Sequence, residues 1–216
     1  MSRLSPLLVL IVALPFVGDT AIADDSSKVL LDVSLLPEPG TVSNEEGLVA
    51  WNRIHDVFTH PRCLNCHVGN DGVPLWTTGS SSESTQAHGM WIKGGNSRMG
   101  AETMLCNSCH QTSAQRNTKA HAAPHTGMIW RLAPTEFQWT DQSSAQICEQ
   151  VRDPERNGGR DEEGLIEHIL HDASVFGFIS WGFDPGPGRS RPPGSLQSHL
   201  EDMATWTSAG MPCPDL

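Results

Sequence analysis

"CLNCH" (residues 63–67) and "CNSCH" (residues 106–110) repeat one pattern, two cysteines closing on a histidine. The chain has 216 residues and six cysteines, and four of the six lie in these two stretches. With six cysteines and ten histidines, one Cys-x-x-Cys-His is expected about 0.01 times by chance. Two copies call for a chemical reason. Cys-x-x-Cys-His is the attachment sequence for c-type haem. Thiols three positions apart can add to the two vinyl groups of one porphyrin, and the next histidine then lies under the iron. Cys63 and Cys66 would hold one haem with His67 as proximal ligand, and Cys106 and Cys109 a second with His110. Structural zinc also uses paired Cys-x-x-Cys, but zinc has no need of a histidine after each pair. The spacing from Cys66 to Cys106 is also long for a zinc ribbon. A thioredoxin-like site would want one motif beside a strand and a helix, a pattern not seen here.

Outward to the N-terminus, "MSRLSPLLVLIVALPFVGDTAIADD" sets Arg3 before an apolar run from Leu7 to Val17, with "AIA" at 21–23. The run is shorter than the roughly 20 residues that span a bilayer. It predicts a signal peptide over 1–23, cleaved near Ala23, and an exported, periplasmic or equivalent protein without stable membrane insertion. Outside the cytoplasm, cysteines pair or bind a cofactor. The remaining two, Cys148 and Cys213, are expected to form a disulfide. The formal charge of −11 repels nucleic acid and anionic lipid, so neither is an expected partner.

Residues 24–42 read as an extended lead-in, and 43–216 as a single domain carrying both motifs. Ser43 and Glu46 form a capping-box pattern, and Leu48, Trp51, Ile54 and Phe58 follow at helical spacing until Pro61 stops the helix. Residues 68–100 and 111–142 are irregular, with a short helix expected at "AETMLCNSCHQ" and no strand of convincing alternation. Helical pattern returns over about 143–209. Ser143 opens one helix and Asp161 caps a second whose face is Leu165, Ile166, Ile169 and Leu170. A third runs from about Ser195 to Ala209 with Leu196, Leu200, Met203 and Trp206 inward. "GFDPGPGRSRPPG" is too rich in Pro and Gly for regular structure. The expected class is mainly α: a small helical dihaem cytochrome c with long irregular loops wrapped around two covalent haems, which stand in for a side-chain core between 60 and 140.

Each iron of an electron carrier usually takes a second axial ligand, His or Met. His88, in the loop between the motifs, and His168, at the edge of an apolar helix face, are the leading distal candidates. His171 and His60 are alternatives, His171 also as a partner of a haem propionate. His121 and His125 could serve the second haem, Met90 and Met128 are the thioether candidates, and His55 and His199 read as helix-surface residues. Arg131, Arg152, Arg160 and Arg189 are candidates to pair with propionates, which need compensation when buried.

Several stretches resemble one family of exported dihaem c-type cytochromes, often labelled an isoquinoline 1-oxidoreductase subunit. They are "HPRCLNCH" (60–67), "HGM" (88–90), "LCNSCHQ" (105–111), "RDPERNGGR" (152–160), "WGFDPGPGR" (181–189) and "AGMPCP" (209–214). The resemblance implies a partner, a molybdenum-containing dehydrogenase whose electrons this chain would accept. It also favours His88 and His168 as ligands. Nothing in the chain resembles a molybdopterin domain. The sequence therefore reads as an electron-transfer protein, or a non-catalytic subunit of an oxidoreductase, working with redox partner proteins. A dihaem peroxidase-like enzyme and a haem-based sensor stay open as alternatives.

Overall fold

Ser43 starts the first helix as its sequence requires. Its hydroxyl accepts the Glu46 N–H while the Glu46 carboxylate accepts the Ser43 N–H, and helix α1 (Asn44–Phe58) follows. The computed structural model describes residues 29–77, 85–101, 104–110, 130–186 and 189–215. The expected signal peptide and the start of the lead-in lie outside these residues. Pro61 both ends α1 and opens α2 (Pro61–Leu64), because its missing N–H costs nothing at a first helical position.

Helix takes 47% of the described residues and strand 6%, so the class is mainly α. Helices α3 (Ser144–Arg152), α4 (Glu162–Val175), α5 (Phe178–Phe183) and α6 (Leu196–Ser208) complete the set. The caps at Ser143, Asp161 and Ser195 each accept a backbone N–H three residues on. Each such cap typically stabilises a helix by about 1 kcal/mol. Helix α6 lies along α1, where the rings of Trp51 and Trp206 meet at 5.0 Å between centroids. A side chain at Gly47 would run into Ala209 and Pro212, so that glycine sets how closely α1 approaches the turn after α6. Ile54, Ile147, Cys148 and Leu200 are fully buried around the two tryptophans. Cys148 is bonded to Cys213, which fastens the C-terminal tail to α3 across 65 residues. Closing a span of that size contributes about 4 kcal/mol in the loop-entropy model.

Three local expectations need correction. Helix α5 lies where none was expected, because its start is built by tertiary contact. The Asp172 carboxylate accepts the N–H groups of Ile179 and Ser180 and the Ser180 hydroxyl, and only glycine at 177 leaves room for it. The loop from 68 to 100 contains strands β1 (Leu75–Thr77) and β2 (Thr85–Ala87), paired antiparallel, and at its end β3 (Gly100–Ala101) pairs antiparallel with β4 (Met104–Leu105), just before the second motif. Strands of two or three residues are too short to alternate visibly. The second motif sits on a 3-10 turn, Cys106–Ser108, instead of the expected short helix. These segments are also tied together by Arg98, which donates to the carbonyls of Ala133 and Val68 and accepts the Leu132 N–H. Among the described residues no helix is long and apolar enough to cross a membrane.

Candidate functional site

Both motifs fold into the same turn. The Cys63 carbonyl accepts the N–H groups of Cys66 (3.1 Å) and His67 (3.2 Å), and the Cys106 carbonyl accepts those of Cys109 (3.1 Å) and His110 (2.9 Å). Positions i, i+3 and i+4 of a helical turn share one face, so each motif presents two thiols and an imidazole to one side. Both sides open onto a single cavity of about 960 Å³, lined by Cys63, Cys66, His67, Cys106, Cys109 and His110 and by mostly apolar neighbours. Its size is at the top of the range of about 300–1,000 Å³ that holds large organic ligands.

Neighbouring elements fix the two turns. Asn65, inside the first motif, is buried. Its side chain accepts the Thr77 hydroxyl, and its carbonyl accepts the Leu75 N–H, which joins the turn to β1. The second turn is held by the Cys106 N–H on the Met99 carbonyl at 2.8 Å. Gly100, at φ +115°, permits this, since a Cβ there would stand 2.6 Å from the Met104 carbonyl oxygen.

His67 is oriented on two sides. Its ring lies flat on Trp139 at 3.4 Å, and its Nδ1 is 2.8 Å from the Phe137 carbonyl oxygen. A carbonyl can only accept, so Nδ1 carries the proton and Nε2 keeps the lone pair that a metal takes. His110 stacks in the same manner on Trp130 at 4.3 Å. His88 follows β2, pinned by its N–H on the Pro74 carbonyl, and its Nδ1 is 2.8 Å from the Gly89 carbonyl oxygen. Met90 and Trp91 beside it sit at φ 60° and 52°, left-handed conformations that cost energy without glycine. The ring centres of His88 and His110 are 6.0 Å apart. Two imidazoles on opposite sides of one first-row metal, at about 2.0–2.1 Å per bond, hold their ring centres about 6 Å apart.

Burial suppresses charge at and beside the first motif. It pushes the Cys63 thiol up to about 12, with the neighbouring Cys66 adding to the shift. Cys66 rises to about 11, by burial first and then by the charge of Cys106. Burial also holds His67 down to about 4 against the opposing bond to Phe137. Arg62, whose guanidinium lies 5.1 Å over Trp181, is held down to about 10 by burial and then by Arg189.

The remaining candidates divide. His168 lines the cavity, its pKa lowered first by the surrounding protein and then by the charge of Arg160. His171 is exposed and is not among the lining residues. His60 uses its ring as the N-cap of α2, where Nδ1 accepts the Arg62 N–H, and it does not line the cavity either. Arg152 is paired with Glu149, whereas Arg131 and Arg160 reach the cavity wall. His121, His125 and Met128 lie outside the described residues. Among the described residues no three of His, Cys, Asp and Glu are placed to hold one metal ion, so the four motif thiols do not converge as a zinc site would need. All four are free thiols, while Cys148 and Cys213 are bonded.

One residue overturns its sequence reading. His199, expected on the surface of its helix, is only 5% exposed and lines the cavity. Its Nδ1 is buried with no hydrogen-bond partner among the described residues, which costs about 1–3 kcal/mol when nothing satisfies the atom. The signal was present: His199 is three residues after Leu196 and four before Met203, on the inward stripe of α6.

Comparison with known protein families, with curated proteins and with solved structures finds no match to this chain.

Proposed function

We propose that the chain is an exported dihaem c-type cytochrome that carries electrons, its irregular segments wrapped around two covalently attached haems. One observation carries this reading: both Cys-x-x-Cys-His stretches fold into one hydrogen-bonded turn and open onto the same apolar cavity. Haem bound there would supply one-electron chemistry at iron. Cys63, Cys66, Cys106 and Cys109 would anchor the two groups, and His67 and His110 would hold the irons from below. The Phe137 carbonyl and the Trp139 ring keep His67 in the required tautomer and orientation. The separation of His88 from His110 supports His88 as the distal ligand at the second motif. Burial keeps the His67 imidazole neutral, the form that binds metal. Both motifs line one cavity, which sets them close together, as electron tunnelling between two centres requires.

Export rests on the N-terminal segment, and the donor on the family resemblance. In this reading the chain accepts electrons from a molybdenum-containing dehydrogenase and catalyses no reaction of its own. Expression in a host that matures c-type cytochromes tests the central claim. The expected product is red, with a mass raised by two haems that survive acid–acetone extraction. A colourless product at the bare polypeptide mass overturns it.

A further inference from the structure

We propose that the exposed apolar rim around the second motif, centred on Trp91, is the docking surface for a redox partner protein whose contact face has an acidic border, an assignment that rests on the dihaem reading above. The second motif is the one near the surface. Cys109 is exposed, whereas Arg62 and Asn65, which flank Cys63 and Cys66, are buried. Trp76, Met90, Met104, Leu105 and Phe178 are each exposed and each line the cavity, so they form its mouth. Trp91 is 70% exposed and is not among the lining residues, so a group held in the cavity does not account for it. Its backbone is held at φ 52°, a costly conformation, with its N–H on the His88 carbonyl at 3.0 Å. The His88 ring in turn stands 6.0 Å from that of His110. Phe178 meets Trp130 at 6.0 Å, and Trp130 stacks on His110. Two short routes therefore run from the rim to the second motif's histidine.

Charge selects the partner. The chain carries −11 overall, yet residues 84–133, which hold the second motif, have five Lys or Arg against one acid. Residues 136–186 instead have eleven acids and three arginines. Among the described residues of the first segment, the side chains of fixed charge are Lys93, Arg98 and Arg131. Asp71 and Glu136 act on Arg98, but Lys93 and Arg131 are exposed and have no ion pair among the described residues. Exposed charges are screened beyond about 8 Å at physiological salt, so a partner at the rim meets these cations before the distant acids. An apolar centre of Trp and Met with a cationic border fits a face whose apolar centre is bordered by carboxylates. In this reading one electron passes from the partner's reduced centre to the ferric iron that His110 holds, which becomes ferrous, and no bond forms or breaks.

The test uses the mature holoprotein and stopped-flow reduction by a reduced acidic two-iron ferredoxin, with photoreduced lumiflavin as a neutral small reductant. Although both proteins are acidic overall, the ferredoxin rate should fall as salt rises. Lys93→Glu should lower that rate about three- to tenfold at low salt. Arg156→Glu, the same change of charge on the exposed loop after α3, should barely alter it. Trp91→Asn, which tolerates the left-handed backbone, should lower the rate about tenfold. Trp91→Phe should keep most of it. All four variants should retain two low-spin haems, wild-type potentials and the wild-type lumiflavin rate, so that a slower ferredoxin reaction reports docking and not misfolding. A ferredoxin rate that rises with salt would overturn the proposal. So would equal effects of Lys93→Glu and Arg156→Glu, or a Trp91→Asn protein as fast as wild type. Cosedimentation of wild type with phosphatidylserine vesicles, lost in Trp91→Asn, would give the rim to a membrane and overturn it too, as would self-association lost in that variant. A wild-type protein lacking two covalent haems would instead sink the dihaem reading itself, so the two failures are distinguishable.

Discussion

At residues 63–67 the motif continues from α2 and packs through Cys63 and Leu64 against the helical core. At 106–110 the same turn follows a two-residue strand, and Met104, Leu105 and Cys109 around it are exposed. Five residues therefore suffice to encode the turn, while the attachment to the rest of the fold is written elsewhere. For the first motif the attachment runs deep. His67 stacks on Trp139, the Trp139 indole N–H donates to the buried Gln150, and Gln150 sits on α3 two residues beyond the disulfide cysteine. For the second motif, His110 stacks on Trp130, whose indole nitrogen is buried without a partner among the described residues. The first site is thus coupled to the core, and the second leans on it.

Removing each pair of thiols should expose this difference most strongly. Cys63→Ser with Cys66→Ser and Cys106→Ser with Cys109→Ser should each lower the mass by one haem. The first double variant should also lower the melting temperature by roughly 10 °C or more, the equivalent of several kcal/mol. The second should retain the helical circular dichroism signal and melt nearer wild type. Equal losses in both would dissolve the distinction.

Cutting the disulfide acts on the same asymmetry from a distance. Cys148→Ser with Cys213→Ser should cost about 4 kcal/mol in denaturant unfolding. Because α3 carries Gln150, potentiometry of this variant should show the midpoint of one haem moving while the other holds. If both move together, α3 is not the particular support of His67.

The same contrast explains what could be read from the sequence. Ser43, Ser143, Asp161 and Ser195 announced four helices because capping is local chemistry within three residues. Both motifs were legible for the same reason. Helix α5 was not, since its start depends on Asp172 from the preceding helix. The short strand pairs were hidden because their register comes from Asn65, Gly100 and Arg98, residues with no periodic signature. His199 was misread by residue type: a polar name on the inward stripe of α6 was taken for surface, although its position was that of a core residue. His60 shows the converse, a histidine beside a motif that serves its own backbone.

The two tryptophans allow a finer cut. Trp139→Phe keeps an aromatic ring against His67 but leaves the Gln150 amide oxygen, which is 2% exposed as a residue, without its donor. An unsatisfied buried acceptor costs about 1–3 kcal/mol, and chemical denaturation should find a loss of that size. Trp130→Phe removes a nitrogen that has no partner to lose among the described residues. Its cost should stay below about 0.5 kcal/mol, the ordinary range for a change that breaks no such feature. A larger loss at Trp130 than at Trp139 would reverse the claim that the first site is the coupled one.

The smallest expected effect separates two adjacent glycines in "RNGGR". Gly158 and Gly159 sit at φ +80° and +81°, so alanine at either pays for a left-handed conformation, about 1–2 kcal/mol. Only at Gly158 would the new Cβ meet the Arg160 Nη1, at 2.6 Å, and approach the Phe137 ring at 3.4 Å. Arg160 donates from that nitrogen to the Asn157 carbonyl, and Asn157 is itself held by the carbonyls of Val151 and Arg160. The glycine therefore clears the space that the guanidinium of Arg160, a residue of the cavity wall, occupies when it bonds Asn157. Since the displaced atoms are the end of a flexible side chain, the two variants should have nearly equal stability. They should differ in redox behaviour. Withdrawing a cation from the neighbourhood of an iron disfavours the reduced state, so Gly158→Ala should lower one midpoint potential on the order of tens of millivolts. Gly159→Ala should leave both potentials unchanged. The haem affected should be the one at the first motif, because Phe137, which Gly158 abuts, supplies the carbonyl that orients His67. Spectroelectrochemistry that resolves the two haems would decide it, and a shift at the second haem alone would place Arg160 on the wrong side of the cavity for this account.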